Sequence, residues 1–133
     1  MCQLLGKYGP LLGRSLLAMI FIIAGYNKMI GFEETAGYMA GKGIPFTEVL
    51  LVLTIIIELG GGFLILVGFH ARWAAMVIFL FLIPVTVIFH PVWSDSGQFN
   101  SFFKNLAIMG GMIYIMAFGP GPYSFGDRHC TNK

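Results

Sequence analysis

Charged side chains are scarce in this chain of 133 residues, at 11% of the total. Soluble domains carry roughly 25%. A water-soluble helical bundle of this length needs charged outer faces, and eight Lys and Arg with six Asp and Glu cannot cover them. There is no basic run and no interleaving of basic with aromatic residues, so the net charge of +2 excludes nucleic acid as a partner. Cysteine is limited to Cys2 and Cys130, neither in a CxxC pair, which argues against dithiol exchange. The ending Cys130-Thr131-Asn132-Lys133 lacks the aliphatic pattern of a prenylation site. No haem, iron–sulfur or other metal ligand set is visible, so no electron carrier is expected in this chain.

What replaces charge is apolar length. Hydrophobic residues make up 57% of the chain and its mean hydropathy is +0.82. A bilayer core of about 30 Å takes about 20 helical residues. Four segments meet that length, at about 10–30, 46–67, 72–90 and 101–118. The first two follow Pro10 and Pro45, with Pro10 suited to the first helical position. The last stops at Gly119-Pro120-Gly121-Pro122. The run Ser15–Tyr26 has the size of a signal core, but it ends at Asn27-Lys28 without a cleavage pattern and reads as a retained helix.

Gly68–Ala71 leaves room only for a tight turn, so the second and third spans are antiparallel neighbours. In the first loop Phe32, Thr35, Ala36 and Met39 recur at helical spacing, with acids in the first turn. That pattern predicts a short helix on the membrane surface. Trp93, in the polar third loop, suits an interface anchor. The fold expected for residues 1–133 is therefore a single all-α integral membrane domain. It is an antiparallel four-transmembrane-helix bundle with a short amphipathic helix in its first loop. Lys7, Arg14, Arg72, Arg128 and Lys133 on one side, against Lys28, Lys42 and Lys104 on the other, favour both termini in the cytoplasm.

An ionisable residue within a span costs roughly 2.5–3.5 kcal/mol on insertion scales, so each needs a reason to be there. Glu58 lies near the middle of the second span and must face the bundle interior. Thr54 and Gly61 or Gly62 share its face, and the glycines admit a close neighbour. Asn27 and Lys28 close the first span, His90 closes the third, and Lys104 and Asn105 open the fourth. In an up-down bundle these ends meet on one side, so the candidate ligand-binding residues are Asn27, Lys28, Glu58, His90, Lys104 and Asn105. Pro84 removes one backbone hydrogen bond near that end.

Simpler readings exist for the same residues. Lys28 and Lys104 have the position of snorkelling anchors, and His90 before Pro91 can simply end a helix. With the first span starting at Pro10, Arg14 lies about 9 Å along the axis from Glu58, against about 12–15 Å for the outer lysines. A buried Arg14–Glu58 ion pair fixing helix register is therefore a second expectation.

These residues also fall in an order that resembles the DoxX family of small bacterial membrane proteins. The likeness is carried by Arg14-Ser15-Leu16-Leu17-Ala18, by Ala24-Gly25-Tyr26-Asn27-Lys28, and by Phe32, Thr35, Tyr38-Met39-Ala40 and Gly43-Ile44-Pro45. It continues in Glu58-Leu59-Gly60-Gly61-Gly62 through Gly68 and Arg72, in Phe89-His90-Pro91-Val92-Trp93, in Phe103-Lys104-Asn105 through Gly110-Gly111, and in Gly119-Pro120-Gly121-Pro122-Tyr123-Ser124. One departure is Asp127, an acid standing one residue later than the family pattern. The family's name comes from a subunit linked to thiosulfate:quinone oxidation, and other members are tied to membrane redox complexes. The resemblance thus implies a bacterial inner-membrane protein associated with a quinone-linked oxidoreductase.

A quinone head requires donors at its carbonyl oxygens within an apolar slot, which Asn27, His90, Lys104 and Asn105 could supply, with Glu58 as a proton relay. Electrons would come from a membrane or peripheral redox partner. A second reading is an accessory or assembly protein with no chemistry of its own. A third is a small-molecule or ion transporter, which four short helices without an inverted repeat would support only as a homo-oligomer.

Overall fold

The computed structural model describes residues 1–90 and 96–125. Trp93, Asp127, Arg128, Cys130 and Lys133, singled out above, lie outside the described residues. The element order is α1 Cys2–Ile30, α2 Phe32–Gly41, α3 Thr47–Val67, α4 Ala71–Phe89, a 3₁₀ turn Ser96–Gln98 and α5 Phe99–Phe118. Among the described residues α1, α3, α4 and α5 are long and apolar enough to cross a bilayer. This is the all-helical four-span architecture expected, with the short α2 between the first two spans.

The main difference lies at the start. Pro10 sits inside α1 rather than at its first turn, and α1 runs for 29 residues. That is about 43 Å of helix, longer than a bilayer core of about 30 Å, so its first turns reach beyond the hydrocarbon. An interior proline deletes one hydrogen bond and crowds the carbonyl four residues earlier. Here that residue is Gly6, around which space is open.

The helices pack in the ring α1–α3–α4–α5, with the most extensive contacts at α1–α3 and α4–α5. The α1–α5 seam has few close backbone approaches. Small residues bring the other backbones together, as expected where lipid tails supply no hydrophobic drive. Ala71, Ala74 and Ala75 are buried on α4. A Cβ at Gly62 would stand 3.0 Å from Ile22 Cγ1 and 3.3 Å from the Ala18 carbonyl oxygen. Gly60, two residues earlier, faces open space. Gly62→Leu should therefore destabilise the bundle by about 1–3 kcal/mol through overpacking. Gly60→Leu should leave thermal unfolding in detergent unchanged, and equal effects of the two would refute this account of the α1–α3 contact.

The end of the bundle at the α3–α4 turn, called inner here after the expected topology, is closed by main-chain chemistry. Gly68, at φ +77, ends α3 with Phe69 N–H donating to Leu64 O at 3.0 Å and Gly68 N–H to Ile65 O at 3.2 Å. This is a Schellman cap. Arg14 donates to the carbonyls of Leu66 (3.3 Å), Pro120 (2.6 Å) and Tyr123. Arg72 donates to Met116 O at 2.9 Å. Two guanidinium groups thus satisfy carbonyls at the ends of α3 and α5, where a helix has no partners of its own. Gly119 and Gly121, both at positive φ, turn the following segment back against Arg72 and Pro10.

Candidate functional site

The opposite end, called outer on the same expectation, is built from side chains. Lys28 Nζ lies 3.0 Å from both carboxylate oxygens of Glu58. The expected Arg14–Glu58 pair is thus replaced by a Lys28–Glu58 pair, for two reasons. First, Arg14 is level with Leu66, eight residues or about 12 Å along α3 from Glu58, whereas Gly25 packs directly against Glu58 and Leu59. Lys28 is therefore less than one turn above the carboxylate's level. Second, side chains lean toward the N-terminus of their helix. In the antiparallel pair α1–α3 this tilts Lys28 and Glu58 toward each other and turns Arg14 away.

Two cavities meet at this ion pair. One, of about 200 Å³, is bounded by α2, α3 and α4, with Thr35, Tyr38, Met39 and Phe89 among its walls. The other, of about 150 Å³, lies between α1, α4 and α5 and reaches Lys104, Asn105 and Ile108. Both are lined by Lys28, Glu58, Phe81, Val85 and His90. Five of the six expected residues therefore converge around joined lobes. Asn27 does not: its side chain is exposed and lines neither lobe. Successive helical residues are about 100° apart, so Asn27 turns outward when Lys28 turns in.

The polar groups are already engaged with one another. Asn105 is buried and donates from Nδ2 to Thr86 Oγ1 at 3.1 Å. His90 Nδ1 lies 2.8 Å from Gln98 Oε1, so the ring donates there. In the neutral imidazole that leaves Nε2 as an acceptor. Gln98, Tyr38 and the aromatic walls Phe81 and Phe89 escaped sequence reasoning. Tyr38 carried a usable signal, three residues after Thr35 on a helix predicted to be amphipathic.

The same α2 that was expected to lie on the surface also roofs the first lobe. Phe32, Thr35, Ala36 and Met39 face inward, as their spacing predicts, and Met39 is buried. Tyr38 stacks on Phe89 with ring centroids 5.7 Å apart, tying α2 to the end of α4.

A family model described as DoxX matches residues 9–91, which run from within α1 to the end of α4 and include the Lys28–Glu58 pair. The chain belongs to the DoxX family. Among relatives of this DoxX protein, the inner membrane protein YqjF of Escherichia coli is 37% identical over 94% of each chain. The inner membrane protein YphA of the same organism is 32% identical, over 89% of this chain and 88% of the relative. A surfeit locus protein 4 homolog of Schizosaccharomyces pombe is 28% identical over 91% of this chain but only 37% of its own. No solved structure matches. With four spanning helices and relatives of this kind, the DoxX chain is a multi-pass protein of the bacterial inner membrane.

Proposed function

We propose that this protein is the membrane subunit of a quinone-linked oxidoreductase system and binds a quinone, or a similar small apolar ligand, at its outer end. The observation that carries this reading is the convergence of Lys28, Glu58, His90, Lys104 and Asn105 on aromatic-walled lobes. Apolar walls with a few converging polar groups are the usual make-up of a small-ligand site. Lys28 and Lys104 are donors suited to a carbonyl oxygen. His90, with Nδ1–H committed to Gln98, offers Nε2 to accept a proton from a hydroxyl. Glu58, held by Lys28, can take a proton only as that pair loosens, which ties proton movement to the ion pair. When bound, a quinone supplies the two-electron chemistry, with electrons delivered by a membrane or peripheral partner. We also place both termini in the cytoplasm, on the charge bias of the two sides.

Purified protein should release quinone on extraction and gain thermal stability when quinone is added. Lys104→Met should weaken quinone binding at least about tenfold, since a lost hydrogen bond to a charged group is worth about 1.5–3 kcal/mol, and His90→Ala should weaken it less, since a neutral one is worth about 0.5–1.5 kcal/mol. Lys104 is exposed, so its replacement should not alter the melting of the ligand-free protein.

The Asn105–Thr86 and Lys28–Glu58 contacts favour a second reading, in which these groups only specify packing in an accessory protein. Under that reading both variants lower complex yield, and the turnover of assembled complex stays unchanged.

A further inference from the structure

We propose that the ligand is a long-chain amphiphile whose tail lies along the seam between α1 and α5. This rests on the reading above for the head and adds a class of substrate. The second lobe is bounded on α1 by Ala24, Phe21 and Ile20. A further cavity, of about 380 Å³, begins one turn lower on the same helix and is bounded by Leu17, Gly13 and Pro10. On α5 the two cavities are bounded by Ile108 and then by Gly111, Ile115 and Phe118. Steps of three and four residues place each set on one face of its helix. The two cavities therefore lie on one track, about 21 Å long from Ala24 to Pro10.

Between them stands the Leu17 side chain, packed where Gly111 has none: a Cβ there would be 2.9 Å from Leu17 Cδ1. A leucine rotamer is a movable barrier. The inner cavity has no head site of its own. Arg14 is the charged residue in its wall, and that guanidinium is engaged with the carbonyls of Leu66, Pro120 and Tyr123. Its other walls are apolar or glycine apart from Tyr114, so polarity is concentrated at the outer end of the track. A helix from a second copy is about 10 Å across and cannot enter a seam that one leucine bridges. An alkyl or isoprenoid chain can.

Gly13 provides the test, because it lines the inner cavity yet has nothing within 4 Å of an added Cβ. Gly13→Leu should fold and fill the track. Gly6→Leu, also in open space but off the track, is the control. The probes are a tail-less benzoquinone and the same head bearing a hexadecyl chain, long enough to pass Leu17 and reach the level of Gly13, titrated into the whole chain in mild detergent. The hexadecyl form should bind roughly tenfold tighter, a gain from packing because detergent already supplies an apolar medium. Gly13→Leu should abolish that advantage and leave the tail-less probe unchanged, while Gly6→Leu behaves as the parent. Equal binding of both probes by the parent, or an advantage that survives Gly13→Leu, overturns the seam.

Lipid extraction separates the two sources of such a chain. If neither quinone binds but a phospholipid co-purifies and is lost in Gly13→Leu, the seam stands and the quinone reading falls. If neither quinone binds and nothing with a long chain co-purifies, both fall.

Discussion

Replacing Lys28 by Met should destabilise the bundle by about 3 kcal/mol, at the low end of the roughly 3–5 kcal/mol lost when one partner of a buried pair is removed. The low end applies because the Lys28 side chain retains 29% exposure, against 8% for Glu58. The loss comes mostly from the carboxylate left behind, which sits near the middle of a span with no cation in contact. The double variant Lys28→Met with Glu58→Gln should therefore recover most of the stability. A thermal-unfolding cycle in detergent measures the coupling directly. If the single effects simply add, the pair makes no energetic contribution and the two lobes meet at a passive wall. Ligand adds a second readout. Because both lobes share Lys28 and Glu58, the double variant should fold yet lose the quinone-induced gain in stability.

Arg14→Met should cost about 4 kcal/mol. Arg14 is buried and donates to three carbonyls, and each hydrogen bond from a charged group is worth about 1.5–3 kcal/mol, less than additively. Arg14→Lys should recover little, since an ammonium on a flexible stem does not reproduce a planar fork reaching three oxygens. Hydrogen exchange locates the damage. The Phe125 amide, bonded to Val67 O at 3.1 Å, should exchange faster in both variants, while α2 amides stay as in the parent. A Lys variant as stable as the parent would show that charge alone, without the fork geometry, holds the inner end.

The four spans were legible because membrane crossing is a matter of apolar length, which a linear sequence displays. The α2 helix was legible for the same kind of reason, through the spacing of Phe32, Thr35, Ala36 and Met39. The outer cluster followed from topology: in an up-down bundle, Lys28, His90 and Lys104 have nowhere else to meet. Asn27 failed because adjacent helical residues face different ways, and proximity in sequence was mistaken for a shared face. The partner of Arg14 was illegible for a deeper reason. It bonds to main-chain oxygens, which every residue carries and no side-chain pattern marks. That gap, together with a helix start set at Pro10, moved Arg14 toward Glu58 in the reckoning. The true register is visible in the packing of Gly25 on Leu59 and of Gly62 on Ala18 and Ile22. The inner cavity was equally hidden, because its walls are residues that also serve as ordinary bilayer-facing or core positions.

Because Arg14 and Arg72 hold the inner end through backbone carbonyls, the identity of the side chains they touch is nearly irrelevant to that lock. Pro120 and Tyr123 contribute oxygen atoms that any substitute would also present. What cannot drift there are the two arginines and the left-handed glycines that aim those oxygens, Gly119 and Gly121. The tail beyond α5 can therefore change its surface freely while remaining fastened. A new partner-facing sequence could be written onto the inner side of this bundle without disturbing the distant end where the lobes lie.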